Sequence, residues 1–213
     1  MRSKGGQALV PSWDKRYELP GFLFGEQPNA FLKSQQGLLK PGWHALSLAD
    51  GEGRNGIWLA EQGLHVHALD ASPVALRKAR TLARKRGVEL RFEHADLLNW
   101  NWPEAAYDLV AAIFIQFAGP EGRKSMFDGL RRALKPGGLL ILQGYTPRQL
   151  EYKTGGPPAA ENMYTQSLLS EAFADWTITH LREHDDFMAE GSGHYGQSAL
   201  IDLVATKPLG ASD

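Results

Sequence analysis

The sequence predicts an α/β protein with a mostly parallel β-sheet and helices on both faces of that sheet. Short apolar segments with the length of strands alternate with amphipathic, helix-like segments along most of the chain. Residues 107–115 are nearly all apolar, which is typical of a central strand buried on both faces. Glycines and acidic residues collect where successive strands end, so these ends are the candidate functional region. At 213 residues and with no internal repeat, the chain is predicted to form one domain.

The two ends of the chain are predicted to be flexible. Residues 1–12 are rich in glycine and polar residues, and 208–213 are expected to form a short tail. The domain is expected to span 13–207. Its first part, 13–40, contains several aromatic side chains among glycines and prolines. This composition indicates an ordered lid over the site or, alternatively, a segment that simply packs on the core.

A glycine-rich loop follows the first predicted strand. An apolar run at 45–49 stops at the polar sequence 50–55, and apolar residues then recur with helical spacing. Gly51 and Gly53 allow backbone conformations that other residues avoid, and they let a ligand approach the main chain closely. The helix after the loop directs free N–H groups toward whatever lies above it. This strand, loop and helix form the first part of a predicted binding site.

Acidic residues close the next two predicted strands. Asp70 ends the second strand about twenty residues after the first loop glycine, the spacing at which a carboxylate binds both hydroxyls of a ribose. The third strand, 90–94, leads to Asp96. Since parallel strands end at one edge of a sheet, the pattern predicts a nucleoside-bearing cofactor along that edge. For either acid taken alone, a helix cap or a surface turn is the alternative interpretation.

The rest of the chain supplies the remaining helices and strands. The last two strands are joined by a short glycine-rich loop at 191–196 and are therefore predicted to pair antiparallel. The loop 144–158 is long for a compact domain and is interpreted as lining of a substrate site, with a plain connection as the alternative. The other predicted elements are helices at 73–86, 121–134 and 165–174 and strands at 139–142, 176–183 and 198–206.

The chain resembles the class I S-adenosylmethionine-dependent methyltransferases at four motifs. These are the loop Asp50-Gly51-Glu52-Gly53-Arg54-Asn55, the strand-ending Asp70, the pair Asp96-Leu97 and the turn Leu134-Lys135-Pro136-Gly137-Gly138. The resemblance covers roughly residues 13–207 and implies a Rossmann-like three-layer sandwich. Its sheet would have seven strands in the order 3-2-1-4-5-7-6, with the last strand antiparallel. The implied cofactor is S-adenosyl-L-methionine, and its product is S-adenosyl-L-homocysteine.

The N-terminal segment is similar to one branch of this family, the tellurite-resistance and thiopurine methyltransferases. The matching residues are Trp13–Tyr17 and Phe24–Asn29. The chain also departs from the family, which usually has an acid at the position of Ser47 and a glycine at that of Ala49. Ser47 carries no charge to orient the methionine end of the cofactor, and Asp50 in the loop is the expected substitute.

The resemblance implies a set of cofactor-binding residues. They are Arg16, Ala49, Asp50, Gly51, Gly53, Arg54, Asn55, Asp70, Ala71, Asp96, Leu97, Ile113 and Phe114. The loop offers N–H groups to the methionine end, and Arg16 and Arg54 are candidates for its carboxylate because a guanidinium matches two oxygens. Asp70 is assigned to the ribose, and Asp96 to the amino group of the adenine.

The remaining cofactor contacts are apolar. Ala71 and Leu97 would lie on the two sides of the adenine. Ile113-Phe114, at the end of the fourth strand, would border the sulfonium, since aromatic faces attract such a cation.

The methyl acceptor is expected in a pocket lined mainly by aromatic residues. The predicted residues are Tyr17, Phe24, Phe117, Tyr145, Tyr152, His194 and Tyr195. His184 and His194 are interpreted as core or surface histidines rather than as bases, and no catalytic residue or metal ligand is assigned. In-line transfer to a soft nucleophile that is already anionic needs no base. The sequence therefore favours a small thiol, selenol or metalloid acceptor.

Composition limits the other possibilities. Without cysteine the chain has no disulfide, thiolate metal site or cysteine nucleophile. A net charge of −1 gives no indication of a nucleic-acid or membrane partner. No signal peptide or membrane helix is evident, so we expect a cytoplasmic protein that is monomeric or weakly dimeric.

Two rival functions stay open. Residues 51–56 also match the dinucleotide fingerprint G-x-G-x-x-G, which indicates an NAD-dependent oxidoreductase. Two features argue against an oxidoreductase. Asp96 is a second acid that would face the nucleoside, and few residues remain for a separate catalytic region. The other rival is a non-catalytic protein that binds an adenosine ligand, which the departures at Ser47 and Ala49 allow.

Overall fold

The computed structural model describes residues 13–210, so the flexible segment predicted at 1–12 and the last part of the predicted tail, 211–213, lie outside the described residues. The described chain forms a seven-stranded sheet with the order β3-β2-β1-β4-β5-β7-β6. Its strands are β1 His44–Ser47, β2 His65–Asp70, β3 Arg91–His94, β4 Tyr107–Ile113, β5 Leu134–Tyr145, β6 Thr177–Glu190 and β7 His194–Thr206. Strand β7 is antiparallel to both of its neighbours, and the four pairs from β3 to β5 are parallel. The predicted fold class and strand order are confirmed.

Helices cover both faces of this sheet. They are α1 Trp13–Tyr17, α2 Ala30–Ser34, α3 Arg54–Glu61, α4 Pro73–Arg86, α5 Pro120–Ala133, α6 Gln149–Tyr152 and α7 Gln166–Ala172, with 3₁₀ turns at Gln36–Leu38 and Ala160–Asn162. Adjacent residues of β4 point to opposite faces. Val110 packs with residues of α5 and α7, and Leu109 packs with residues of α2 and α3. This two-sided burial explains why the strand is apolar throughout.

Within residues 13–210 no helix has the length and apolar character that a membrane crossing requires.

Strand β5 begins before and ends after the predicted 139–142. Its Leu134 already pairs with β4, and an irregularity in the register accommodates the glycine turn before Leu139. At the other end the strand reaches Tyr145, so the predicted long loop 144–158 starts later and includes the short helix α6. The local sequence hides this extension because Lys-Pro-Gly-Gly is a strong turn signal.

The hairpin formed by β6 and β7 is longer than the predicted strands 176–183 and 198–206. Pairing continues outward to Glu190 opposite His194. The outer part of the hairpin is rich in charged residues and glycine and has no regular apolar pattern. Ladder pairing nevertheless satisfies its backbone N–H and C=O groups whatever the side chains are. The extension brings the tip of the hairpin against the N-terminal segment.

We expect Gly129→Ala to destabilise the contact between α5 and the Trp102 ring. A Cβ at Gly129 would overlap Cε2 of Trp102, which is buried in the core. Overpacking of this kind costs about 1–3 kcal/mol, more than the roughly 0.5–1 kcal/mol that alanine gains over glycine within a helix. Urea unfolding measures the difference. Gly37→Ala is the control, since its Cβ would meet no atom within 4 Å, and an unchanged unfolding midpoint in Gly129→Ala would contradict the prediction.

Candidate functional site

The carboxyl ends of four neighbouring strands meet at one edge of the sheet. Strand β1 ends at Ser47, β2 at Asp70, β3 at His94 and β4 at Ile113. The register places Asp70 directly beside His94, and Asp96 follows β3 at the same edge. The structure therefore brings the glycine loop and both predicted acids to one region.

The loop after β1 contains three residues with left-handed backbone conformations. Gly51 and Gly53 have φ angles of 57° and 92°, and Ala49 has a φ of 46°. Glycine adopts this region without steric cost, whereas alanine loses about 1–2 kcal/mol there. Gly53 is required for a second reason, since a Cβ there would lie 2.8 Å from the Cβ of Ala79. The loop is thus held tightly against α4.

Backbone groups fix Asp70 at the end of β2. Its carboxylate accepts hydrogen bonds from the N–H of Gly51 at 2.7 Å and the N–H of Ser72 at 2.8 Å. Burial raises the pKa of Asp70, and these two donors oppose the shift. An ionised carboxylate has about four acceptor sites, so Asp70 keeps capacity for further donors. That capacity fits the predicted contact with two ribose hydroxyls.

The predicted adenine-side residues have different environments. Asp96 is exposed and accepts from the backbone N–H of Leu98 and the side-chain amide of Asn99. Leu97 is buried in the core beside α5, and Ala71 is exposed. Asp96 has the hydrogen bonds of an ordinary turn acid, so its contact with adenine stays a prediction.

Asp50 is a buried acid with one oxygen unsatisfied. Its Oδ1 accepts from the Ser47 hydroxyl at 2.6 Å and from the Gly56 N–H at 3.0 Å. Its Oδ2 is buried and has no hydrogen-bond partner among the described residues. Burial raises the pKa of Asp50 to about 7, although the hydrogen bonds from Ser47 and Gly56 lower it. A buried acceptor without a donor favours a ligand that brings one, such as an ammonium group.

Arg54, the first residue of α3, forms a buried ion pair with the tip of the hairpin. Its Nη1 lies 2.6 Å from Oε2 of Glu190, and the side chains are 8% and 13% exposed. Glu190 also accepts from the Asn29 side chain and the Ala30 N–H. Burial works against ionisation of Glu190, but the neighbouring His194 ring, the Arg54 charge and the Ala30 N–H lower its pKa to about 2. Arg54 is therefore neutralised within the protein, which leaves Arg16 as the other predicted partner for a ligand carboxylate.

The N-terminal segment covers the glycine loop. Tyr17 is buried, and a Cβ on Gly51 would lie 2.8 Å from its hydroxyl oxygen. Glu52 holds the segment in place, because its carboxylate accepts from the Leu23 N–H at 2.6 Å and from Lys78 Nζ at 2.8 Å. The segment therefore packs over the loop; we refer to it as the lid, and its opening for a ligand stays a prediction.

Five predicted site residues form an aromatic cluster at this lid. The centroid of the His194 ring lies 4.3 Å from that of Phe24, 4.4 Å from that of Phe114 and 5.8 Å from that of Tyr145. Tyr17 joins the cluster through Phe24 at 6.3 Å. Phe114 has a φ of 56°. Such a backbone conformation is uncommon for a bulky residue and tends to occur at functional sites.

Three predicted acceptor residues lie outside this cluster. Phe117 and Tyr195 are 41% and 63% exposed, and Tyr195 packs against Phe187 at a centroid distance of 5.3 Å. Tyr152 donates its hydroxyl to Asp185 at 3.0 Å. Phe117 and Tyr195 are exposed, and Tyr152 is the half-buried last residue of the short helix α6, so the sequence pattern does not fix the direction of these side chains.

Two carboxylates that organise the site are not predicted from the sequence: the buried Glu52 and the partly buried Glu190. Glu52 stands between the loop glycines, and a charged residue in such a tight loop is a signal that the sequence offered. Glu190 gives no such signal, because it reaches Arg54 only through the folded hairpin. Asn29, which donates to Oε1 of Gln143 at 2.6 Å and to Glu190, is a third missed residue.

Residues 45–138 match the family model described as a methyltransferase domain. This segment contains the glycine loop, Asp70 and Asp96 but neither the lid nor the hairpin. The demethylmenaquinone methyltransferase of Thermus thermophilus is 36% identical over 104 residues, which are 48% of this chain and 47% of that protein. The chain spans about half the length of the first curated relatives that it matches.

Solved structures share the fold over most of the chain. One, described for the conversion of a disulfide bond into a thioacetal group during echinomycin biosynthesis, has a TM-score of 0.74 at 21% identity and covers 94% of this chain and 92% of that chain. TehB from Haemophilus influenzae has a TM-score of 0.69 at 17% identity, with coverages of 92% and 65%. Magnesium protoporphyrin IX methyltransferase from Synechocystis, with bound SAH, has a TM-score of 0.63 at 20% identity, with coverages of 83% and 81%.

These structural similarities establish the fold. They do not single out the tellurite-resistance and thiopurine branch.

We expect Lys78→Met to loosen the lid. Lys78 Nζ donates to the carbonyls of Leu19 and Gly21 as well as to Glu52, at distances of 2.7–2.8 Å. Its loss leaves the buried Glu52 carboxylate short of a donor, at a cost of about 1 kcal/mol or more. Cleavage of the lid by chymotrypsin should become roughly five- to tenfold faster, which a time course of limited proteolysis measures.

Lys124→Met is the matched control for this experiment. Lys124 is in an exposed pair with Asp128 on α5, and exposed pairs of this kind contribute little to stability. Its loss should leave cleavage of the lid at the wild-type rate. Identical cleavage rates for the two variants would show that Lys78 does not hold the lid.

Proposed function

We propose that this chain is an enzyme that transfers a methyl group from S-adenosyl-L-methionine to a small molecule. One observation carries the proposal: the glycine loop, Asp70 and an aromatic cluster with Phe114 and His194 converge at one edge of the sheet. The match of residues 45–138 to a methyltransferase domain supports it independently.

When bound, the cofactor supplies a methyl group on a cationic sulfonium. The residues of this site suit each part of that molecule. Asp70 has acceptor capacity for the ribose hydroxyls, and Asp50 has an unsatisfied oxygen for the amino group. Arg16 is available for the carboxylate, and its guanidinium lies over the Trp13 ring at 4.4 Å. Phe114 is the aromatic ring at the end of β4 that suits the sulfonium.

The lid and the hairpin supply the conditions that in-line displacement needs. The sulfonium and an anionic acceptor lose their charges together as the new bond forms, so a dry site with an aligned acceptor favours the transition state. Tyr17 is 5% exposed and His194 is 8% exposed, so water has little access to the cluster in this conformation. No covalent enzyme group is required for the step.

Within this function we propose a soft nucleophile as the acceptor: a small thiol, selenol or metalloid species. The cluster offers aromatic walls, which suit an apolar or polarisable molecule. One structure with the same fold is described for chemistry at a disulfide bond. The Thermus thermophilus relative is named for a different acceptor, demethylmenaquinone. The family match leaves out the lid and the hairpin, where most of the predicted acceptor residues lie, so the acceptor of a relative does not carry over.

We expect S-adenosyl-L-homocysteine, and not NADH, to raise the melting temperature of the protein. A ligand at 100 times its dissociation constant stabilises the fold by about 2.7 kcal/mol. Asp70→Asn should weaken binding about tenfold or more by calorimetry, because an amide has one acceptor oxygen where the carboxylate has two. Asp175→Asn, which changes an exposed acid paired with Arg131, should bind like wild type. A shift with NADH alone would support the oxidoreductase, and a shift with neither ligand would remove both enzyme hypotheses.

We expect transfer of labelled methyl from the cofactor to soft acceptors in preference to hard ones. A suitable panel contains an alkyl thiol, an aryl thiol, a selenol, selenite, tellurite, an alcohol and an amine. The thiols, the selenol or the oxyanions should give the highest kcat/KM, since their nucleophilic atoms are polarisable and readily anionic. Transfer to the alcohol with none to the soft acceptors would contradict this acceptor class. Cofactor binding without transfer to any of them would support the non-catalytic adenosine-binding protein.

A further inference from the structure

We propose that His194 is the general base that removes the proton of the methyl acceptor, an inference that rests on the function proposed above. The sequence places this residue among those that line the acceptor pocket and identifies no base. A base extends the range of acceptors to nucleophiles that are protonated at neutral pH, such as alkyl thiols.

The position of His194 suits contact with an acceptor. It is the first residue of β7, and its ring lies between Phe24 of the lid and Phe114 at the end of β4. A molecule that enters beneath the lid, next to Phe114, would lie against the imidazole. The other polar groups of the cluster are the hydroxyls of Tyr17 and Tyr145, and burial raises the pKa of both well above the usual value. Of these groups, the imidazole is the one that can accept a proton.

The surroundings of His194 keep it neutral and ready to become charged. Its Nδ1 is buried without a hydrogen-bond partner among the described residues and lies 3.9 Å from Oε2 of Glu190. Burial lowers the pKa of His194, and Glu190 acts against this shift. The positive charges of Arg54 and Arg16 lower the pKa further. Tyr145 faces the ring from β5 as a neutral phenol. The ring is therefore neutral at pH 7, while the Glu190 carboxylate can stabilise an imidazolium once it forms.

In the proposed step the acceptor gives the proton of its S–H group to a ring nitrogen of His194. The electron pair of that bond stays on the acceptor atom and forms the bond to the methyl carbon. The pair of the old bond between the methyl carbon and the cofactor sulfur stays on that sulfur, which becomes the neutral thioether of the product. The positive charge thus passes to the imidazolium beside Glu190, and the proton leaves to solvent after the product departs.

A purely structural histidine and a base predict different results. A histidine that only fills the cluster would affect every acceptor through packing, whereas a base matters for acceptors that arrive protonated. Two thiols that each carry a benzene ring, one aryl and one alkyl, separate the cases. At neutral pH 4-nitrothiophenol is mostly a thiolate, and 2-phenylethanethiol is mostly a protonated thiol.

The test measures kcat/KM for both thiols in wild type, His194→Gln and His180→Gln. We expect His194→Gln to lose about 10²-fold or more with 2-phenylethanethiol and to stay within a few-fold of wild type with 4-nitrothiophenol. His180 is the matched control, because its Nε2 is also buried without a partner among residues 13–210 and its ring packs against Phe31. His180→Gln should keep both activities. Equal losses with the two thiols, or no loss with either, would overturn the proposal.

A second readout does not depend on turnover. The ring signal of His194, assigned by its disappearance in His194→Gln, should titrate in NMR below the ordinary histidine value of about 6.5. The kcat/KM of wild type with 2-phenylethanethiol should fall as pH drops through that same value, and His194→Gln should lack this decrease. A ring protonated at neutral pH would exclude a base. If wild type methylates neither thiol, thiols are excluded as acceptors and the proposal that His194 is their base is overturned, while binding of S-adenosyl-L-homocysteine separately tests the proposed function.

Discussion

The buried ion pair between Arg54 and Glu190 joins the parts of the chain that form the site. Arg54 begins the helix after the glycine loop, and Glu190 ends β6 at the hairpin tip. Removing two charges from water costs several kcal/mol per ion. Nη1 of Arg54 makes the ion pair but no hydrogen bond of good geometry among the described residues, so the Glu190 carboxylate depends on further donors. Asn29 and Ala30 supply the additional donors from the start of α2. Since breaking the pair would leave a charge buried, the loop, the hairpin and α2 keep one relative arrangement.

This arrangement decides which side chains meet in the aromatic cluster. The Glu190 carboxylate that neutralises Arg54 also faces His194. One acid therefore contacts both the helix that follows the glycine loop and the aromatic cluster. The backbones of the lid and the hairpin touch at two glycines, where a Cβ on Gly191 would lie 2.5 Å from the N atom of Gly25. This close approach places Phe24 on the His194 ring. The cluster therefore exists only when lid, hairpin and loop are folded together.

The sequence predicts the parts of the site that local signals determine. The glycine loop and Asp70 follow from a turn signal and a spacing within one strand–helix–strand unit, and the strand order follows from the family resemblance. The role of Glu190 depends on a contact with Arg54 across most of the chain, and no local pattern encodes it. The outer hairpin has the composition of a loop, so its length and the direction of Tyr195 could not be predicted. Tertiary pairing determines all of these features.

The predicted substitution of Asp50 for the acid that the similar family usually has places a carboxylate in the loop, near the end of β1. The Ser47 hydroxyl donates to Asp50 at 2.6 Å, so the acid of the loop lies one hydrogen bond from the place where the family usually has it. The new position requires Gly56, because a Cβ there would lie 2.5 Å from Oδ2 of Asp50. Gly56 is also the last glycine of the apparent G-x-G-x-x-G fingerprint. Its presence is explained by the packing of this acid, so the fingerprint gives no separate support to a dinucleotide cofactor.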